Sequence, residues 1–231
     1  MGRPLRQSAG GVVYHVLNRR VMRLPLFDDA GDYLAFERVL QGALARDDAP
    51  QLFSFCLMPN HWHLLLRPRG DGDLATWMRW LTVTHTHRWH AHRGTAGTGP
   101  VYQGRFKSFP VQADEHFVTV ARYIERNPLR ADMVERSQDW RWSSLGIRRQ
   151  TKLTADERDL AGMLSDWPVD QPRVWARRVN AAETAAELEA LRRCVARSRP
   201  FGGPTWVRRT VKKLGLESTT RSRGRPRKTD K

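Results

Sequence analysis

Two apolar runs meet at a proline-asparagine turn, and that hairpin limits the fold more than any other stretch of the chain. Gln51 to Leu57 (QLFSFCL) and His61 to Arg67 (HWHLLLR) both read as strands, and Met58-Pro59-Asn60 between them is a turn signal. Strands joined so tightly must run antiparallel. Around them strands alternate with helices. Gly11 to Arg20 (GVVYHVLNRR) is rich in β-branched and aromatic residues and reads as a strand. Asp28 to Ala45 reads as a helix capped by Asp28 or Asp29, with Tyr33, Leu34, Phe36, Leu40 and Leu44 near helical spacing. Leu74 to His92 is a long helix, and Arg105 to Gln112 is a strand that Pro110 places at a sheet edge. Asp114 to Arg126 is a helix that Pro128 ends. The pattern predicts an α+β fold with helices on one face of an antiparallel sheet.

With 231 residues, the chain is long enough for one good core plus an extension. Its formal net charge of +16 and pI of about 11.1 speak to partners, and nucleic acid is the leading one, since Lys and Arg neutralise phosphate and release counterions. Cys56 and Cys194 make neither a disulfide framework nor a ligand cluster. Met1 to Gly11 is polar and basic, so no signal peptide is expected, and no apolar run approaches the roughly 18–20 residues of a membrane span. These features predict a cytoplasmic, DNA-associated protein with no membrane contact. Its character changes at Thr151, which divides it into a unit over 1–150, a helical extension over 151–198 and a basic, partly disordered DNA-binding tail over 199–231.

In a strand, residues i and i+2 share a face. His61 and His63 therefore project together, while Trp62 points into the core. Two neutral imidazoles side by side seat a divalent ion; the plainer reading is two histidines on an exposed strand face. A second group, His85, His87, His90 and His92, scatters around its helix and lacks the carboxylate of a zinc-hydrolase motif, so it reads as a solvated face. Tyr123 and Asn127 are four residues apart, which on a helix puts them on one face. The Asn carbonyl oxygen suits Mg²⁺ or Mn²⁺. A tyrosine on an amphipathic helix is more often a core residue, but metal charge and nearby arginines (Arg122, Arg126, Arg105, Lys107) would favour a phenolate.

With both elements in view, the chain resembles the REP-associated tyrosine transposases, within the wider single-tyrosine HUH transposases of the small insertion-sequence type. The segments that carry the resemblance are GGVVYHVLNRR (Gly10–Arg20), CLMPNHWHLLLRP (Cys56–Pro68), VYQGRFKSF (Val101–Phe109), ARYIERNPLRADMV (Ala121–Val134) and DWRWSSL (Asp139–Leu145), in family order. The resemblance implies a ferredoxin-like α+β core, His61, His63 and Asn127 as ligands of Mg²⁺ or Mn²⁺, and Tyr123 as nucleophile. It implies cleavage and rejoining of single-stranded hairpin DNA through a 5′-phosphotyrosine, by a monomer or homodimer. The alternative is a nucleic-acid-binding regulator of the same fold that does not cleave.

Further DNA contacts are expected outside this centre. Arg105 and Lys107 share one strand face and could grip phosphates leading to Tyr123, with Arg19 serving similarly. In the tail, Arg223, Arg225 and Arg227 around Gly224 and Pro226 resemble an AT-hook core, which lays arginines in a narrow minor groove.

Overall fold

Four strands and two long helices follow one another as βαββαβ in the computed structural model, which describes residues 8–221. Strand β1 is Val13–Arg19, helix α1 Ala30–Leu44, β2 Gln51–Met58, β3 His61–Arg67, α2 Asp73–Arg93 and β4 Lys107–Val111. The sheet order is β2-β3-β1-β4 with every neighbouring pair antiparallel. This is the ferredoxin-like arrangement. The edge strand β4 carries Pro110, as expected of a residue with no amide proton to donate. It starts at Lys107 rather than Arg105, because the chain still bends through Gly104, whose φ is 138°.

Register decides which residues share a face. Trp62 faces Leu57 and Asn18, in line with Leu64, Leu66, Val16, Phe55 and Leu52, and α1 and α2 cover this side. Alternate residues present His61, His63 and Leu65 to the other side, beside Leu17, His15, Met58 and Cys56. Helices on one face therefore describe α1 and α2, but the second face is covered as well. Helix α3 (Glu115–Glu125) lies there, placing Phe117, Val120 and Ile124 against Val13, Leu65, Phe109 and Val111. The reason is visible in β2 and β3, which are apolar at consecutive positions and so must bury both sides.

Helix α3 ends at Glu125, and a new turn, α4 (Asn127–Arg130), begins at once. Pro128 sits at the start of α4, where a missing N–H costs nothing, so it opens a turn as well as closing a helix. Helices α5 (Ser144–Arg149) and α6 (Ala155–Gly162) follow; Leu160 of α6 joins the core on the α1 side. From α7 (Trp175–Asn180) and α8 (Ala185–Arg197), Trp175, Val179, Leu191 and Cys194 pack into the α3 layer. A short basic helix, α9 (Pro204–Leu214), precedes α10 (Glu217–Thr220). Among the described residues, no helix is long and apolar enough to cross a membrane.

Candidate metal and nucleophile site

The centre is built on the second face of the sheet, from β1, β3 and α3. His61 and His63 leave β3 on the same side, their ring centroids 5.0 Å apart. Across the layer, the ring of Tyr123 stands edge-on 6.0 Å from His63. What holds α3 at this height is its last residue. Glu125 is fully buried and accepts from Ser54 Oγ at 3.0 Å, from Ser144 Oγ, and from Trp175 Nε1 at 2.6 Å. Burial pushes its carboxyl pKa up, and these donors partly oppose that. The carboxylate thus ties the tyrosine helix to β2, α5 and α7 at once.

Asn127 follows one turn later. Its Nδ2 donates to the carbonyls of Tyr123 and Ile124 at 3.1 and 3.2 Å, which orients the amide. Its Oδ1 accepts from Arg130 Nη2 at 2.6 Å. A carbonyl oxygen has two lone pairs, so one remains for a cation. The Arg130 guanidinium also lies 4.3 Å over the Tyr123 ring and pairs with Glu183 at 2.7 Å. Sequence reasoning missed Arg130, although it stands three residues after Asn127 on the same turn.

Burial lowers the pKa of His61 to about 3, and the charges of Arg19 and Arg130 push it the same way. His63 is held well below its ordinary value, first by burial, then by His15, His61, Arg130 and Arg19. Both rings are therefore neutral near pH 7, with lone pairs to offer. Two imidazole nitrogens and an amide oxygen form a mixed N/O donor set that fits a divalent ion. Among the described residues, Asp114, Glu115 and His116 also bring ligand atoms within 4.8 Å of one another. There Asp114 caps α3, accepting from the His116 backbone, which accounts for the cluster locally.

The basic residues divide into two groups. Arg19 faces His61 across β1 and β3, and it lines a cavity of about 310 Å³ together with Arg105 and Lys107. Arg122 and Arg126 do not reach the centre. Arg122 donates to the carbonyls of Ala181 and Ala182 at 2.7 Å, and Arg126 to those of Val179 and Asn180. Together they staple the end of α7 and the connection after it to the tyrosine helix. Arg223, Arg225 and Arg227 lie outside the described residues.

In the second histidine group, His87 and His92 are exposed as expected, and only His85 departs from the solvated face. His85 is buried on the α1/α2 side, with Nδ1 2.7 Å from the Tyr102 hydroxyl, which also accepts from Trp62 Nε1 at 3.1 Å. Tyr102 belongs to that core layer, as do Tyr14 and Tyr33, so of the chain's four tyrosines only Tyr123 faces the histidine pair.

Missing from the sequence reading is His15. It is fully buried in β1, and its Nε2 lies 2.8 Å from His63 Nδ1. One signal for it existed, a lone histidine in the apolar strand VYHVLNR, but only the β1–β3 register brings it to His63.

Comparison with known proteins bears on this geometry. The family model for IS200-like transposases matches residues 8–127, a span that contains His61, His63, Tyr123 and Asn127. A Haemophilus influenzae protein named as a REP-associated tyrosine transposase is 26% identical over 99 residues, covering 39% of this chain and 56% of that relative. The match thus spans little more than half the relative's length. A solved structure of a REP-associated tyrosine transposase bound to a REP hairpin is similar in fold, with a TM-score of 0.50 and 20% identity over 80% of this chain and 95% of that one.

Proposed function

We propose, for a chain that belongs to the IS200-like transposase family, that it is a metal-dependent endonuclease and strand transferase acting on single-stranded DNA. The Tyr123 hydroxyl oxygen attacks a phosphodiester in line. A tyrosyl O–P bond forms as the bond from phosphorus to the 3′ oxygen breaks. The phenolic proton is released and the leaving 3′ oxygen takes one up, giving a 5′-phosphotyrosine and a free 3′-hydroxyl. One phosphate ester replaces another, so rejoining needs no nucleotide cofactor. His61, His63 and Asn127 Oδ1 would hold Mg²⁺ or Mn²⁺; when bound, such an ion would polarise the phosphoryl oxygens and orient the displacement. Arg19 and Arg130 stabilise negative charge beside the phenol, and Arg105 and Lys107 lead the strand in along the cavity they share with Arg19.

The observation that carries this reading is the 6.0 Å approach of the Tyr123 ring to His63, with His61 at 5.0 Å from His63 on the same face of the sheet. That the phenol stands beside the histidines of its own chain supports cleavage within one protomer. The hairpin bound by the similar solved protein makes REP-like hairpin DNA the substrate to try first. Residues 1–150 would form the catalytic unit, 151–198 would brace α3, and 199–231 would bind DNA through the basic tail.

The test is to incubate the protein with labelled hairpin DNA and Mn²⁺ or Mg²⁺, then denature. The expected result is a covalent adduct that needs the ion and vanishes in Tyr123→Phe. Tight binding with no adduct under either ion would favour the regulator of the same fold.

A further inference from the structure

His15 and His63 meet nitrogen to nitrogen, and this contact controls which nitrogen of His63 is free. Their planes are 11° apart and their centroids 4.9 Å apart. Parallel faces in van der Waals contact would keep atoms about 3.5–4.0 Å apart, so a 2.8 Å Nε2···Nδ1 contact cannot be a face-to-face stack. The rings are nearly coplanar and share one hydrogen bond lying in both planes.

One proton occupies that bond, and its position has consequences at the far side of His63. If His15 Nε2 donates, His63 carries its own proton on Nε2 and offers no lone pair there. If His63 Nδ1 donates, its Nε2 is free and His15 must carry its proton on Nδ1. His15 Nδ1 is buried and has no hydrogen-bond partner among the described residues. A histidine that ligates through one nitrogen almost always donates its other N–H to a fixed acceptor. Among the described residues, the partner of His63 Nδ1 is another imidazole rather than a carboxylate or carbonyl, and either ring can be the donor. Phe109, edge-on at 4.8 Å, closes off the His15 ring on β4, the strand on the other side of β1.

We infer that His15 is a positioning residue for the metal centre: it accepts the Nδ1 proton of His63 and thereby presents His63 Nε2 as the ligand atom. The inference rests on the proposed role of His63 in holding a divalent ion. In this role His15, whose ring also stands edge-on 6.1 Å from Tyr123, acts through His63.

Two substitutions and one spectrum test it, all on the full chain without DNA. His15→Leu fills the space and removes the acceptor. His15→Gln restores a side-chain oxygen near the position of Nε2. By the usual cost of losing such a partner, Mn²⁺ affinity measured by calorimetry should fall about 10–100-fold in His15→Leu, and His15→Gln should recover most of it. Long-range ¹H–¹⁵N spectra of histidine-labelled wild type, loaded with diamagnetic Zn²⁺ as probe, should show His63 protonated at Nδ1 and ligated through Nε2. Wild-type affinity in His15→Leu would overturn the inference, as would equal losses in a folded His15→Gln, or His63 protonated at Nε2 in the loaded protein. If His15→Leu does not fold, the wild-type spectrum decides alone. A wild type that binds no divalent ion would instead sink the proposed function, along with this inference.

Discussion

The two faces of one sheet, separated by the thickness of β3, are put to different uses. On one side Trp62, Leu64 and Leu66 meet α1 and α2, and Trp62, Tyr102 and His85 form a buried hydrogen-bonded chain. On the other, His61 and His63 stand beside His15 and Tyr123, with Asn127 one turn further along the tyrosine helix and Arg130 and Arg19 contributing charge. On the first face the buried hydroxyl, indole and imidazole of Tyr102, Trp62 and His85 answer one another. The second gathers three neutral histidines and the ring of Tyr123 on one side of the sheet. A period of two residues is enough to place a core and the histidine pair on opposite sides of the same seven-residue strand.

Neighbouring substitutions break this comparison most sharply. Trp62→Ala removes a fully buried ring and should cost about 3–5 kcal/mol, read as a lower midpoint in denaturant unfolding. His63→Ala, one residue on, should cost only about 1–2 kcal/mol while abolishing the covalent adduct. If the two substitutions destabilise equally, the division between the faces is wrong.

Acid sharpens the contrast next. His15 and His85 have pKa values lowered to about 3 by burial, and His63 is lowered strongly too. All three stay neutral when folded but take up protons at about 6.5 when unfolded. Below pH 6.5 the unfolded chain therefore binds more protons, so stability falls with falling pH, on the order of 1 kcal/mol per histidine per pH unit, and levels off near pH 3. His61, partly exposed and also at about 3, adds to the loss. Thermal melts of metal-free protein between pH 7.5 and 5 should show a flat region and then this decline. His85→Phe should remove one face's share only.

Smallest in stability are Arg105→Ala and Lys107→Ala, both at exposed positions. Each should change unfolding free energy by less than about 0.5 kcal/mol. Each should also lower the slope of log affinity for single-stranded DNA against log salt by roughly 0.7, measured by fluorescence anisotropy. An unchanged slope in both would remove the shared cavity with Arg19 from the DNA path.

Local pattern made much of this readable. The hairpin, both long helices, the i, i+2 histidines and the i, i+4 spacing of Tyr123 and Asn127 are all set by residues close in sequence. What was hidden depends on partners far away in the chain. His15 belongs to the centre only because β1 lies next to β3. Arg122 and Arg126 look like free cations on the tyrosine helix, yet carbonyls some 55 residues later occupy them. The covering of the second face by α3, α7 and α8 was implicit in the unbroken apolar runs of β2 and β3, which leave no solvent side.

The central claim is that Tyr123, alone among four tyrosines, becomes esterified to DNA beside the histidine pair. Tryptic digestion of the denatured adduct and mass mapping of the attached nucleotide test it most directly. The account predicts the nucleotide mass on the peptide Tyr123–Arg126, bounded by cleavage after Arg122 and Arg126. A nucleotide attached to any other residue would contradict it.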